Sequence, residues 1–401
     1  MTTPLSGKTI SLVKATVPAL AEHGTAITAA MYARLFQDDH IRALFNQANQ
    51  DSGAQVKALA GGVLAYAKNI DNLGVLGAAV ERMAQKHVGY HILPEHYPYV
   101  ATALLAAIKE VLGEAATDEI LEAWGEAYWF LANILMGREA GIRQEIEAEE
   151  GGWTGWRAFV VEQKIRESAV ITSFVLRPQD GGKVVAHKPG QYLTFTFDTA
   201  GQKGVKRNYS ISQAANGETY RISVKREAHG VASGHLHDAI QVGDVLLATP
   251  PAGDFHLKPA QRPVVLLSGG VGLTPMVAML ETIAAEHPDL EAHFVHAALN
   301  GEVHAMQAQV KALAAAHGGT RVSTFYSEPA AGDVLGDSHD VEGFVSVDWL
   351  KAQTPFETAD FYLCGPKPFL RALVGGLVAA GVDAGRIHYE FFGPADELLA
   401  A

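Results

Sequence analysis

The sequence predicts a multidomain chain of three successive classes: an all-α module, a small antiparallel β-barrel, and an α/β module on a parallel sheet. Two changes of hydrophobic period and one break in composition carry that reading. Over residues 9–143, apolar residues recur at spacings of three and four in Ala- and Leu-rich sequence with almost no β-branched clusters, the period of helices packed on one another. After the acidic stretch 145–150, Gly151-Gly152-Trp153-Thr154-Gly155-Trp156 ends both the charge and the period, so the helical module is assigned 1–143 and a linker 144–155. Over 156–258 the segments shorten and alternate, as in 170–176 and 220–225, with Asn216-Gly217 as a hairpin turn between two of them. Over 259–401 apolar strands alternate with helices: 263–268 then 276–286, 292–297 then 303–317, 361–363 then 369–380. That alternation predicts βαβ units.

With 401 residues, 48% apolar and 19% charged, the chain has globular composition and length for two or three cores. A formal net charge of -13 without a Lys/Arg block argues against a nucleic-acid partner. Cys364 is the only cysteine, so no intramolecular disulfide forms and a reducing compartment is favoured. The N-terminus Met1-Thr2-Thr3-Pro4-Leu5 shows no secretion pattern, and apolar runs such as 373–382 fall short of the ~20 residues a bilayer span needs. A cytoplasmic monomer without stable membrane insertion is expected.

In the last module, the strand at 264–267 runs into Ser268-Gly269-Gly270-Val271-Gly272-Leu273-Thr274-Pro275 and then a helix. Such a loop is either a tight turn or a phosphate cradle, because glycines admit close backbone approach and a helix start offers free N–H groups. Thr274 is expected to cap that helix and Pro275 to suit its first turn. Cys364-Gly365-Pro366 also follows a strand and precedes a helix, at the edge where nucleotides bind parallel sheets. In the middle module, Arg207-Asn208-Tyr209-Ser210 sends Arg207 and Tyr209 to one face of a strand and Ser210 to the other. Alone, this is an ordinary surface strand. Together with the loops it resembles the ferredoxin-reductase-like FAD/NAD(P)H module, from about Trp156 to the C-terminus. The resemblance implies that Tyr209 packs on the flavin, Ser210 bonds near its reactive nitrogen and Arg207 pairs with the pyrophosphate. It further implies that Tyr192 contacts FAD, that Glu390 sits near the redox edge, and that Phe391-Phe392-Gly393-Pro394 covers the flavin. The NAD(P)H site would comprise Gly269, Gly270, Val271, Gly272, Leu273, Thr274, Pro275, Cys364, Gly365 and Pro366. Asn208, where relatives often have Gln, and Gly234-His235 in the pyrophosphate loop depart from the pattern.

The helical module holds His23, His40, His87, His91 and His96, each readable as a core or solvated histidine. His87 stands apart because Leu76, Val80, Met83 and His87 continue one stripe, expected to be buried, and a lone imidazole on an apolar face suits an axial bond to haem iron. Gln55, Leu59, Gly62 and Tyr66 share a face of the preceding helix. With Phe45 and Tyr32, the segment resembles a globin of the flavohemoglobin family. That resemblance implies haem b with His87 as proximal iron ligand, Tyr32 and Gln55 on the distal side, Leu59 and Phe45 against the ring, and Lys86 beside the proximal histidine. Trp124, Tyr128, Leu131, Leu135 and Glu139 form a stripe whose terminal Glu would ordinarily reach water, whereas the resemblance has Glu139 and Tyr97 bonded to His87. Trp129 is bulkier than the family pattern. The implied activity is nitric oxide dioxygenation, NO and O2 to nitrate, with electrons passing from NAD(P)H through FAD to the haem. The alternatives are an oxygen-binding or sensing globin with its own reductase, and a flavin reductase for soluble acceptors.

Overall fold

The computed structural model describes residues 4–45, 53–199, 201–259 and 261–392. They form two compact units, one of residues 4–148 with 204–206 and the other of the remaining described residues up to 392.

The first unit is helical. Ser6 caps α1 (Gly7–Ala15) by accepting from the Thr9 N–H, and α2 (Val17–Leu35) follows with a proline in its first turn. A short α3 (Asp39–Arg42) is capped by Asp38. Then come α4 (Ala54–Lys68), α5 (Gly77–Gly89), α6 (Tyr97–Leu112) and α7 (Asp118–Ala148). The core joins Ile27 and Met31 of α2 to Tyr66, Leu104, Ile108 and Trp124. Polar anchors within it include bonds from Trp124 Nε1 to Thr16 Oγ1 (3.2 Å) and from the Tyr66 hydroxyl to the Ala127 carbonyl (2.8 Å). The last helix runs to Ala148, five residues past the expected end at Arg143. Residues 144–148, read as linker, are strong helix formers, and Ile146 adds to the apolar cluster of Val88, Leu135 and Ile142. The acidic run that looked like a break is the solvated side of a continuing helix.

After the helical module, β1 (Arg157–Arg166), β2 (Ile171–Pro178), β3 (Tyr192–Phe197), β4 (Val205–Ser210), β5 (Tyr220–Lys225) and β6 (Val245–Ala248) form one sheet, in the order β4-β3-β6-β1-β2-β5. A bridge between Ile211 and Ile222 joins the chain leaving β4 to β5, so the two ends of the order meet and the sheet closes. The turn at Asn216 and Gly217 thus connects strands that pair only at that bridge. Phe159, Phe174, Leu193, Phe195 and Tyr220 fill the interior. The helix α8 (Val231–Asp238) lies between β5 and β6.

The remaining residues build a parallel sheet from β7 (Val264–Gly269), β8 (Ala292–Ala298), β9 (Thr320–Tyr326), β10 (Val341–Glu342), β11 (Asp360–Cys364) and β12 (Ile387–Glu390), ordered β10-β9-β8-β7-β11-β12. Helices α9 (Leu273–Glu286), α10 (Gln307–Ala316), α11 (Val347–Gln353) and α12 (Lys367–Ala379) connect them. The order reverses between β7 and β11, and the crevice at such a reversal is where doubly wound sheets bind ligands. Both glycine-bearing loops read from the sequence leave these two strands.

Candidate functional site

Three elements bring three side chains together in the helical unit. His87 lies in the last turn of α5, Tyr97 opens α6, and Glu139 lies on the inner stripe of α7. His87 Nδ1 is 2.7 Å from Glu139 Oε1 and 3.0 Å from the Tyr97 hydroxyl, which is itself 2.5 Å from the same Oε1. Glu139 has no exposed surface, against the ordinary reading of a glutamate at the end of an apolar face. Burial, reinforced by the Glu139 hydrogen bond and charge, raises the Tyr97 phenol well above its usual range. Tyr97 therefore keeps its proton and donates it to the carboxylate. The proton on the His87 ring then belongs on Nδ1, where Oε1 accepts it, and Nε2 is left with a free lone pair. Tyr128 steadies the assembly by donating to the Tyr97 carbonyl at 2.7 Å. Arg143 approaches Glu139 Oε2 at 3.9 Å, and that oxygen makes no hydrogen bond among the described residues.

The stripe Leu76, Val80, Met83 and His87 differs from expectation: all four are half-buried, and the fully buried face of α5 is Ala84, Val88 and Gly89. The stripe lines a face that the protein covers only partly, and a row of large apolar side chains ending in an imidazole lone pair fits a flat apolar ligand with a metal centre. Across from it in sequence, Tyr32 is buried on α2, edge-on to Phe45 with ring centroids 5.6 Å apart. Thr28, one turn earlier, donates to the Val56 carbonyl at 2.9 Å and fastens α2 to the first turn of α4. That turn carries Gln55, whose buried Oε1 has no hydrogen-bond partner among the described residues. Leu59 follows one turn on, half-buried, as is Lys86 beside His87. An orphaned polar atom, a free imidazole nitrogen and an under-covered apolar wall together fit haem. Trp129 stands 38% exposed, edge-on to Tyr128.

In the barrel, Tyr209 packs against Phe195 of β3 with centroids 5.9 Å apart, and its phenol is raised by burial. Arg207 and Asn208 are half-buried, and Ser210 is buried. Asn208 Oδ1 is buried without a hydrogen-bond partner among the described residues, as is Thr194 Oγ1. Strand alternation puts Thr194 on the face of Tyr192, so the period of two that marks Tyr192 marks Thr194 as well. Orphaned polar atoms on β3 and β4 fit a polar ligand such as the flavin nucleotide. The departure at Gly234-His235 has a partner, because the His235 ring stacks on Phe197 at 5.4 Å and 16°.

The two nucleotide loops touch. A Cβ on Gly272 would lie 2.1 Å from the Cys364 carbonyl oxygen, and one on Gly365 would lie 2.8 Å from the Phe369 ring and 3.1 Å from Gly269 N. Gly270, at φ +54, faces open space. Thr274 does not cap α9: the helix starts at Leu273, and the Thr274 hydroxyl donates back to the Val271 carbonyl at 3.0 Å. The first-turn N–H groups are thus not occupied by a side-chain cap, which suits a phosphate. Strand register aligns Ser268, Cys364 and Glu390 across the ends of β7, β11 and β12. Burial and then the Glu390 charge hold the Cys364 thiol well above its usual range, so it stays protonated. Phe391 is half-buried and Phe392 exposed, while Gly393 and Pro394 lie outside the described residues.

Known proteins match the same divisions. The globin family matches residues 29–135, the oxidoreductase FAD-binding domain 158–257 and the oxidoreductase NAD-binding domain 266–374. A flavohemoprotein of Xylella fastidiosa (strain 9a5c) is 59% identical over 403 aligned positions, covering 100% of both chains. The chain belongs to the flavohemoprotein family. A flavohemoglobin of Malassezia yamatoensis, solved with bound FAD and haem, superposes with a TM-score of 0.86 at 27% identity, over 98% of this chain and 100% of that one. The FAD/NAD-binding domain of a nitric oxide dioxygenase from Vibrio cholerae is 41% identical, with a TM-score of 0.55, over 59% of this chain and 99% of its own. This flavohemoprotein is accordingly an oxidoreductase with a haem-binding globin, an FAD-binding barrel and an NAD-binding parallel sheet. No helix among its described residues is long and apolar enough to cross a membrane.

Proposed function

We propose that this flavohemoprotein is a nitric oxide dioxygenase, converting NO and O2 to nitrate at the expense of NAD(P)H and so removing nitric oxide, as a monomer in the cytoplasm. The observation that carries the proposal is the buried contact of Glu139 with both His87 Nδ1 and Tyr97. A carboxylate that accepts the Nδ1 proton lends the ring imidazolate character, which strengthens donation from Nε2 and favours chemistry over reversible storage. When bound, haem supplies one-electron chemistry and flavin splits the hydride pair into single electrons. The chain's own residues hold and shield. His87 would hold the iron, Tyr32 and Gln55 would offer polar atoms to small distal ligands, and Leu59 and Phe45 would keep water from the ring. Arg207 takes the pyrophosphate, Tyr209, Ser210 and Tyr192 seat the flavin with Asn208 beside them, and Glu390 with Phe391 and Phe392 borders it. Gly269 to Pro275 and Cys364 to Pro366 take the nicotinamide nucleotide. The nitric oxide dioxygenase named for the Vibrio cholerae relative supports the same reading.

The test is stoichiometry. One NADH carries electrons for two turnovers, so protein mixed with NADH, O2 and NO should release two nitrates per NADH consumed. NADH consumption without nitrate would overturn the proposal and leave a reductase for other acceptors.

A further inference from the structure

The barrel and the parallel-sheet module, which belong to one compact unit, are joined by a half-buried polar clamp that none of the cofactor contacts uses. Arg221 on β5 and Glu281 on α9 pair at 3.0 Å, with side chains only 14% and 17% exposed. Both carboxylate oxygens are engaged: Oε1 accepts from Arg221 Nη2 and from Gln309 of α10, and Oε2 accepts from the backbone N–H of Ala214 at 2.6 Å. Arg221 also donates from Nε to Ser212 Oγ at 3.2 Å, from Nη1 to Gln309 Oε1 at 3.3 Å, and from Nη2 to the Ser212 carbonyl. Behind Ser212 a buried hydroxyl chain continues into the barrel, Ser212 to Ser223 at 2.8 Å and Ser223 to Ser173 at 2.7 Å.

The location gives the clamp its meaning. Ser212 and Ala214 lie just beyond Tyr209 and Ser210 on the same chain segment, and Glu281 lies two turns along the helix that begins at the nucleotide loop. Apolar contact between the modules, such as Ile171, Phe255 and Leu257 against Met276 and Leu280, is non-directional and tolerates sliding. A half-buried ion pair adds little net stability, but a guanidinium bonded in three directions, to Ser212, Gln309 and Glu281, and a carboxylate bonded through both oxygens fix angle and register. We propose that Arg221 and Glu281 are positioning residues for hydride transfer, fixing the separation and angle between the flavin seat and the nicotinamide seat. In that step the C4–H bond of NADH breaks and an N–H bond forms on the flavin, two electrons and one proton passing together to leave NAD+ and reduced flavin. The proposal rests on the flavin and nucleotide sites and is independent of the haem reaction, so absence of nitrate would not touch it.

Glu281→Gln in the full-length holoprotein keeps shape and removes the charge, and Arg221→Lys keeps charge and removes the fork. Each should slow anaerobic flavin reduction at saturating NADH by about tenfold, as misplacement of reacting atoms does, with FAD content and half-saturating NADH unchanged. The isotope effect with NADH deuterated at the transferring position should rise. In the FAD-free protein, amide exchange over residues 211–214 should quicken, a readout that needs no turnover. Gln309→Leu, which removes one contact to each partner but leaves the Arg221–Glu281 pair itself in place, should show a smaller effect of the same kind and serves if the others fold poorly. Unchanged flavin reduction and exchange, or slowing that excess FAD restores, would overturn the proposal.

Discussion

Glu139 is a carboxylate with no exposed surface that accepts hydrogen bonds from His87 and Tyr97 through one oxygen, while Arg143 lies 3.9 Å from the other. Burial of a charge is costly unless it is paired, so these contacts are a condition of its being there. Glu139→Gln replaces an anionic acceptor by a neutral one of the same shape and should leave haem content intact while lowering nitrate turnover roughly 10–100-fold. The iron–histidine stretch in the resonance Raman spectrum should move to lower frequency. Unaltered turnover and stretch would favour the oxygen-binding alternative, in which the donor strength of His87 matters little. At this scale the sequence showed His87 and the Trp124-to-Glu139 stripe by helical spacing. It could not show that Glu139 is buried, because the covering Tyr97 and Arg143 belong to other turns and another helix. The orphaned Gln55 and Asn208 oxygens were equally hidden, since lack of a partner is a property of packing rather than of residue type.

At the level of elements, the two glycine loops show how one residue type serves two purposes. Gly272 is required by its neighbour: any Cβ there meets the Cys364 carbonyl at 2.1 Å, backbone that cannot rotate away. Gly270 is required only by its own φ of +54. Gly272→Ala should therefore destabilise the second unit by about 1–3 kcal/mol through overpacking and weaken NADH binding by prising the loops apart. Gly270→Ala should cost about 1–2 kcal/mol for the left-handed backbone alone. Urea unfolding and NADH titration of both variants check this, and equal effects on NADH affinity would refute the distinction. The loops were legible because each glycine run follows an apolar strand, a local pattern. Their mutual contact was not, because it depends on β7 and β11 being neighbours despite the long stretch of chain between them. Thr274 lies inside the helix instead of capping it because helix onset differs by a residue or two from the point where the apolar period becomes visible, and for the same reason the last helix of the first module runs past Arg143 to Ala148.

For the whole molecule, module order was written in period and composition, and long-range polar pairs such as Arg221 with Glu281 were not, since nothing in a linear pattern relates a barrel strand to a later helix. The same holds for three buried histidines that contribute to the response to acid. His187 bonds through Nε2 to the Gln213 carbonyl at 2.8 Å, and burial lowers it to about 4. Burial, with the Lys311 charge, likewise lowers His304 to about 4, and burial holds His296, whose ring lies 4.6 Å away and tilted by 36°, well below its usual range. A base depressed in the folded state takes up its proton first in the unfolded chain. Stability is therefore full above about pH 6.5 and declines as pH falls from there; His187 and His304, with folded values of about 4, each contribute on the order of 3 kcal/mol when fully expressed, and His296 acts in the same direction. The second unit should thus lose urea resistance between about pH 7 and pH 5, well above the carboxylate range. Flavin release monitored by fluorescence would follow it. His187→Gln, which removes one titrating group, should make the decline shallower by one proton's worth of slope; a decline that begins only below about pH 5 would instead assign acid sensitivity to the carboxylates.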